Sequence, residues 1–148
     1  MLEQWDKYEK GGHTVWECKY HVVWIPKYRL KILVGDIKEY LKMVLMQECE
    51  NLEVEILKGE IADDHLHLAM QIPPKHSVAH VMQEIKRKSA KRLVERYPEI
   101  GKRYWGQHIW VRGYFASTVG IDEETIRKYI EMHAEKEMMK NQAKLWAG

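Results

Sequence analysis

The sequence predicts an α+β domain in which helices pack on one face of a mostly antiparallel sheet. Segments rich in Val, Ile, Thr and Trp are separated by segments with helical apolar spacing, in the order β, α, β, β, α, β, α. With 148 residues and 45% hydrophobic residues, the chain can bury one substantial core. We therefore expect a single domain over 1–148, with the polar residues 1–12 forming a flexible arm.

Composition argues against a membrane or secreted protein. No apolar stretch approaches the ~20 residues of a membrane-spanning helix, and residues 1–12 lack the apolar region of a signal peptide. Cys18 and Cys49 lie within apolar patterns, which favours buried thiols in a reducing cytoplasm. The net charge of +2 does not by itself indicate a nucleic-acid partner.

The first half of the chain predicts a strand, a helix and a hairpin. Residues 13–25 are rich in β-branched and aromatic residues, which is typical of a long strand. Residues 36–51 have one apolar helical face, with Asp36 as the expected N-cap. Residues 54–62 and 65–72 are predicted to be two strands joined by a tight turn.

The second half predicts a helix, a strand and a last helix. Ser77 is expected to cap a helix over 77–97. A strand is predicted over 108–118, where Gly113 suggests a bulge or the close approach of another backbone. Asp122 and the acids after it are expected to start a helix that runs towards residue 146.

Two histidines in the second hairpin strand are the first candidate site. His65 and His67 flank one apolar residue, so on a strand they share a face while Leu66 and Leu68 take the other. Two imidazoles about 7 Å apart can converge on one divalent ion. His21 also lies in mid-strand; it could line the site, but we expect it to be a hydrogen-bonded core histidine instead.

Basic residues concentrate in two places, the helix over 77–97 and the turn after the first strand. A dense positive helix face is a candidate surface for nucleic acid. The expected phosphate contacts are Lys86, Lys88, Lys91 and Arg92, followed by Lys27 and Arg29. Tyr28 and Trp24 are further candidates for stacking on bases.

The last helix carries a second candidate site. Tyr129 and His133 are four residues apart and therefore share a helix face. The simpler interpretation is that both residues border the apolar face of the helix, which packs on the core. The alternative joins them to the histidine pair, because a phenol can attack a phosphodiester and His133 can supply a third metal ligand.

Five motifs occur in a fixed order along the chain. The motifs are Tyr20-His21-Val22-Val23-Trp24-Ile25-Pro26-Lys27-Tyr28-Arg29, Asp64-His65-Leu66-His67-Leu68, Pro73-Pro74 with Lys86, Ser89, Ala90 and Arg92, Trp110-Val111-Arg112-Gly113-Tyr114-Phe115, and Tyr129-Ile130-x-x-His133. In this order they resemble the IS200-like transposases of insertion sequences, which are small single-tyrosine enzymes of the HUH (His-hydrophobic-His) superfamily acting on single-stranded DNA. The resemblance covers residues 13–137.

The resemblance implies a fold, a chemistry and a partner. The sheet would be ferredoxin-like or RRM-like, with the tyrosine on the C-terminal helix. His65 and His67 would hold Mg²⁺ or Mn²⁺, and Tyr129 would attack a DNA phosphodiester to form a 5′-phosphotyrosine, which the 3′-OH of another strand resolves. The substrate would be single-stranded DNA with imperfect hairpins. The protein would be a nucleoid-associated homodimer with shared active sites, and the strand from Trp110 to Phe115 would lie at its interface.

One position departs from the family's pattern. The residue four after the tyrosine is usually a glutamine that reaches the metal, and here it is His133. Imidazole is a competent and softer ligand, so we expect His133 to ligate the ion and to favour Mn²⁺. The alternative is that water takes this position.

Three other functions compete with a transposase. One is a catalytically silent protein that only binds hairpin DNA, which the presence of His65, His67 and Tyr129 argues against. Another is a three-histidine hydrolase of small substrates, which lacks an obvious general base. The last is a domesticated relative that processes repeated palindromes, which the sequence does not separate from a mobile-element enzyme.

Overall fold

A computed structural model of the chain describes residues 9–10, 15–29, 31–103 and 108–133. No helix within this part of the chain is long and apolar enough to cross a membrane. The strands are β1 (Glu9–Lys10), β2 (Val15–Trp16), β3 (Lys19–Trp24), β4 (Glu55–Ile61), β5 (Leu66–Gln71) and β6 (Phe115–Ser117). The helices are α1 (Gly35–Asn51), α2 (Val78–Arg96), α3 (Pro98–Arg103) and α4 (residues 123–133), and a 3-10 turn spans Lys27–Arg29.

The main sheet has four strands in the order β4-β5-β3-β6, and every neighbouring pair is antiparallel. Together with α1 and α2 this is the ferredoxin-like arrangement, so the predicted α+β fold class is confirmed. The predicted hairpin is also confirmed, with Ile61 of β4 opposite Leu66 of β5. The central strands β3 and β5 pair over their full length.

Alternation along β3 gives the sheet two different faces. Val22 and Trp24 are fully buried in the main core, which α1 and α2 cover. Val23 and Ile25 point to the other face and pack in a second apolar cluster with residues of α4, including Ile126. Helix α4 therefore lies across the face of the sheet that α1 and α2 leave uncovered.

The predicted first strand is divided in two. Val15–Trp16 pairs with Glu9–Lys10 in a small separate sheet, and the main-sheet strand begins at Lys19. The expected flexible arm over 1–12 lies outside the described residues except for this pair at 9–10.

The predicted strand over 108–118 is wrong for most of its length. Only Phe115–Ser117 pairs as a strand, and Trp110 forms an isolated bridge with Pro26. Gly113 interrupts the segment because its φ of +92° is a left-handed conformation that favours glycine. A Cβ at Gly113 would meet no atom within 4 Å, so the backbone angle, and not close packing within the described chain, favours this glycine.

Helix starts match the predictions at two of three places. Ser77 Oγ accepts a hydrogen bond from the backbone N–H of His80, and Asp122 Oδ1 accepts one from the N–H of Thr125. Asp36, however, is not the N-cap of α1. Val34 holds that position without a side-chain hydrogen bond, and Asp36 lies in the first turn, where its negative charge interacts favourably with the positive end of the helix dipole.

Candidate active site

The two histidines of the candidate metal pair lie at the start of β5. His67 is opposite Val23 of β3, on the face that α1 and α2 do not cover. His65 immediately precedes the strand, and its Nδ1 is 2.9 Å from Asp64 Oδ1. An ionised carboxylate only accepts, so this contact fixes the proton on Nδ1 and leaves the Nε2 lone pair of His65 available to a ligand.

A third imidazole, which sequence reasoning assigned to the core, lies beside the pair. His21 Nδ1 is 3.4 Å from His67 Nε2, and both rings line one depression at the sheet surface. Burial lowers the pKa of His67 below its usual value, and the neighbouring His21 lowers it further. His21 is therefore hydrogen-bonded, as expected, but it is only partly buried and lies on the face of the candidate site, so its placement in the core is wrong. Strand alternation could have placed it there, because His21 shares a face with Val23 while Val22 and Trp24 face the core.

Two carboxylates also border the histidines. Glu60 is opposite His67 in the hairpin register. Glu60 and Glu123 line both the depression at His21 and His67 and the adjoining one at His65. Neither carboxylate could be found by motif spacing alone, since the hairpin register and the docking of α4 bring them to the site.

Tyr129 lies on the same side of the sheet but in an apolar setting. Its side chain is 8% exposed and belongs to the cluster of Val23, Ile25 and Val111. The phenol ring meets Phe115 edge-on, with centroids 6.0 Å apart. Its hydroxyl is buried and has no hydrogen-bond partner among the described residues. Burial raises the pKa of Tyr129 to about 12, so the phenol is protonated at neutral pH.

His133 shares the helix face of Tyr129, as the spacing predicts, with ring centroids 4.5 Å apart. Across 15–29, 31–103 and 108–133, no three His, Cys, Asp or Glu side chains converge where they could hold one metal ion. The expected set of His65, His67 and His133 is thus not assembled within the single chain as described.

The structure gives Lys86 a role other than an exposed phosphate contact. Its Nζ donates to the carbonyl oxygens of Val111 and Gly113, at 2.8 and 2.6 Å. Burial lowers the pKa of Lys86 to about 8, while the two carbonyl acceptors act in the opposite direction by stabilising the charged form. Lys86 therefore tethers the segment that carries the unusual glycine.

Two more of the predicted phosphate contacts are engaged within the protein. Arg92 Nη1 is 3.2 Å from Glu48 Oε1, and its Nη2 donates to Gln47 at 2.8 Å. Lys88 Nζ is 3.6 Å from the other carboxylate oxygen of Glu48. Glu48 is a buried acid on α1, so these two cations neutralise it and join α1 to α2.

Lys91 remains the predicted basic residue of α2 best placed for a ligand. It is exposed and borders a surface groove with His108. Lys27 is half-buried and its backbone N–H donates to Ile109, while the side chain of Arg29 lies outside the described residues. Trp24 cannot stack on a base in this fold, because it is fully buried in the main core.

Residues 14–133 match the family described as "Transposase IS200 like". The chain is 37% identical over 131 residues to the transposase for insertion sequence element IS200 of Salmonella typhimurium, covering 88% of this chain and 86% of that one. It is 32% identical over 130 residues to the ISDra2 transposase TnpA of Deinococcus radiodurans, covering 87% and 93%.

Solved structures give the same fold. The crystal structure of a Deinococcus radiodurans R1 protein, described there as a candidate transposase, superposes with a TM-score of 0.74 at 28% identity, covering 84% of this chain and 97% of that one. A REP-associated tyrosine transposase bound to a REP hairpin superposes with a TM-score of 0.51 at 12% identity, covering 81% and 67%. The second likeness concerns the fold alone.

Proposed function

Because the chain belongs to the IS200-like transposase family, we propose that it cleaves and rejoins single-stranded DNA at imperfect hairpins through a covalent link to Tyr129. The observation that carries this proposal is the shared face of the sheet. His21, His65 and His67 lie on the same side as the helix of Tyr129, next to surface depressions that could admit a phosphodiester. The relatives with 37% and 32% identity are transposases of insertion sequences, which supports the choice of a DNA substrate.

The histidine pair fits the divalent ion that the family implies. His65 is held by Asp64 in the tautomer that offers Nε2, and the lowered pKa of His67 favours its neutral, ligating form. His65 and His67 would hold Mg²⁺ or Mn²⁺, with His133 as a further ligand once α4 is docked for catalysis. When bound, such an ion supplies a positive charge that polarises the scissile phosphate and stabilises the leaving 3′ oxygen.

Tyr129 is the proposed nucleophile. Its phenolic oxygen forms a bond to phosphorus, the phenolic proton is released, and the bond from phosphorus to the 3′ oxygen breaks to leave a 3′-OH. The 3′-OH of a second strand then attacks the phosphotyrosine and regenerates the phenol. The number of phosphodiester-type bonds is unchanged at each step, so strand transfer needs no nucleotide cofactor.

We propose that the active form is a homodimer. Tyr129 packs against apolar residues and is not among the residues that line the histidine depressions. Helix α4 must therefore present it from another position, on its own sheet or on that of a second subunit. β6 lies at one edge of the main sheet. It begins at Phe115, where the segment from Trp110 to Phe115 that we place at the subunit interface ends.

Covalent capture of DNA tests this proposal. The full-length protein is incubated with Mn²⁺ and a 5′- or 3′-labelled hairpin oligonucleotide, and protease digestion with mass spectrometry locates the attached nucleotide. We expect one adduct, on Tyr129, carried by the 5′ phosphate. An adduct on a different residue would refute the assignment of the nucleophile. Absence of any adduct, with hairpin binding intact, would instead favour the catalytically silent DNA-binding protein.

Two neighbouring basic residues of α2 should respond differently to removal. Lys91→Ala should leave the free energy of unfolding within about 0.5 kcal/mol and reduce the salt dependence of hairpin binding by about one phosphate contact. Arg92→Ala should instead lower the free energy of unfolding by about 2–3 kcal/mol, because it leaves Glu48 buried with weaker compensation.

Urea denaturation and fluorescence anisotropy at several salt concentrations separate the two effects. Glu124→Ala, on the exposed side of α4, is a charge-removal control for stability, since its ion pair with Lys128 is exposed. Equal loss of stability in Lys91→Ala and Arg92→Ala would contradict the division of roles described above.

A further inference from the structure

His21 and His67 form a close pair of imidazoles on the central strands of the sheet. Their facing nitrogens, His21 Nδ1 and His67 Nε2, are 3.4 Å apart, and the ring centroids are 5.6 Å apart at an angle of 53°. The register of β3 and β5 sets this geometry. His67 is opposite Val23 and His21 is opposite Ala69, so the two histidines are diagonal neighbours on one face.

The two nitrogens are hydrogen-bonded to each other in the chain without an ion, and their separation is also close to that of two ligands of one ion. Two nitrogens bound to one tetrahedral ion at about 2.0–2.1 Å lie about 3.3–3.4 Å apart. Around an octahedral ion with bonds of about 2.1 Å, adjacent ligands lie about 3 Å apart. The observed 3.4 Å therefore matches a tetrahedral ion directly, and the two nitrogens would approach each other by about 0.4 Å to bind an octahedral one.

We propose that His21 is a ligand of the divalent ion, binding through Nδ1 beside Nε2 of His67. The inference deepens the proposed function and rests on it for the identity of the ion. Its structural consequence is that β3 and β5 alone position two nitrogen ligands. These strands are hydrogen-bonded to each other along their length, so the spacing of the two ligands is fixed before α4 or DNA takes part.

The surroundings of the pair suit a cation. Glu60 is opposite His67 in the register and lines the same depression, as does Glu123 from the first turn of α4. Lys58 is the positively charged residue that lines the depression at His21 and His67. His65 lies in the adjoining depression, which shares Glu60 and Glu123 with the first. The two nitrogens of His21 and His67 are therefore the ligand pair that the described chain already brings together, and His65 is the next imidazole along the same face.

Binding of Mn²⁺ alone to the full-length protein, without DNA, tests the proposal. The free ion is followed by electron paramagnetic resonance during titration. We expect His21→Ala to weaken Mn²⁺ binding by at least about 10-fold, in the range of the effect of His67→Ala. His80→Ala, on the exposed side of α2, should leave the affinity unchanged. Unchanged affinity in His21→Ala would overturn the proposal.

A ligand and a positioning residue are distinguished by counting nitrogens. Pulsed electron paramagnetic resonance of the Cu²⁺-loaded protein should show one coordinated imidazole fewer in His21→Ala than in wild type. Weaker binding with the same number of imidazoles would assign His21 to positioning and overturn ligation. Because His21 lies inside a strand, His21→Val is measured in parallel, since a β-branched residue preserves strand propensity.

Failure of this inference and failure of the proposed function give different results. If wild type binds Mn²⁺ through His21 but forms no adduct with DNA, ligation by His21 holds and the transposase chemistry does not. If the adduct forms on Tyr129 while His21→Ala binds Mn²⁺ as wild type does, only the role of His21 is refuted. If wild type binds no Mn²⁺ at millimolar concentration, ligation by His21 is refuted as well.

Discussion

Replacing Tyr129 with phenylalanine is expected to abolish the covalent DNA adduct and to reduce strand cleavage by at least about 10³-fold, as removal of a nucleophile generally does. The substitution removes one oxygen and leaves the ring, so contacts with Phe115 and the apolar cluster of α4 persist. Adduct formation and cleavage of a labelled hairpin are measured on denaturing gels, and hairpin affinity is measured separately. Affinity should stay within about 2-fold, because phosphate contacts elsewhere supply most of it.

The same substitution should not destabilise the protein. The Tyr129 hydroxyl is buried without a hydrogen-bond partner in the described part of the chain, and an unpaired buried hydroxyl costs free energy. We expect the free energy of unfolding to be unchanged or to rise by about 1–2 kcal/mol, measured by urea denaturation. Tyr97→Phe, at a half-buried tyrosine packed against the main core and outside the proposed interface segment, is the matched control for activity. A marked loss of stability in Tyr129→Phe would mean that the hydroxyl has a partner in solution.

The pH dependence of this stability difference has a definite sign. Burial raises the pKa of Tyr129 to about 12, whereas an unfolded tyrosine ionises near about 10. Between these two values the folded state keeps the phenolic proton that the unfolded chain loses. The free energy of unfolding therefore falls as the pH rises from about 10 through about 12. Wild type should lose stability over this range relative to Tyr129→Phe. At neutral pH the attacking group is the phenol itself, so its proton must leave during the attack.

Local pattern was sufficient for most of the fold. Helical spacing and strand alternation predicted α1, α2 and the β4–β5 hairpin within a residue or two, because each buries a face that its own period defines. The segment over 108–118 failed for a tertiary reason. Its conformation depends on Gly113 and on the two hydrogen bonds from Lys86, a residue more than twenty positions earlier in the sequence. A periodic pattern within the segment cannot show hydrogen bonds from a residue so distant in the sequence.

The placement of the candidate site residues was predicted where one element carries them and was not predicted where several elements meet. His65 and His67 follow from a two-residue period on one strand, and Tyr129 and His133 from a four-residue period on one helix. Alternation along β3 places His21 on the same face, but its contact with His67 depends on the register of β3 against β5. Charge patterning likewise indicated a basic face on α2. The partner of Arg92, however, is an acid of α1, and a charge pattern on one helix cannot show it.

Mixing Tyr129→Phe subunits with His65→Ala subunits is expected to restore cleavage to about one quarter of the wild-type rate, although each variant alone is inactive. In a two-fold dimer with shared sites, a mixed dimer contains one site with an intact histidine pair from one subunit and an intact tyrosine from the other. Half of the dimers are mixed at equilibrium, and each has one active site of two. The packing of Tyr129 away from the histidine depressions favours this arrangement over a site made within one chain.

The result is decisive only if mixed dimers are isolated. Two affinity tags, one on each variant, allow tandem purification of the mixed dimer after co-expression, and its expected activity is then about half that of wild type. A dimer of one wild-type and one His65→Ala subunit, purified in the same way, gives the activity expected of a dimer with one intact histidine pair. An inactive mixed dimer that still binds hairpin DNA would place Tyr129 and the histidines of one chain in the same site. Helix α4 would then have to move across its own sheet, out of the apolar cluster of Val23 and Ile25, before the phenol could reach a phosphate.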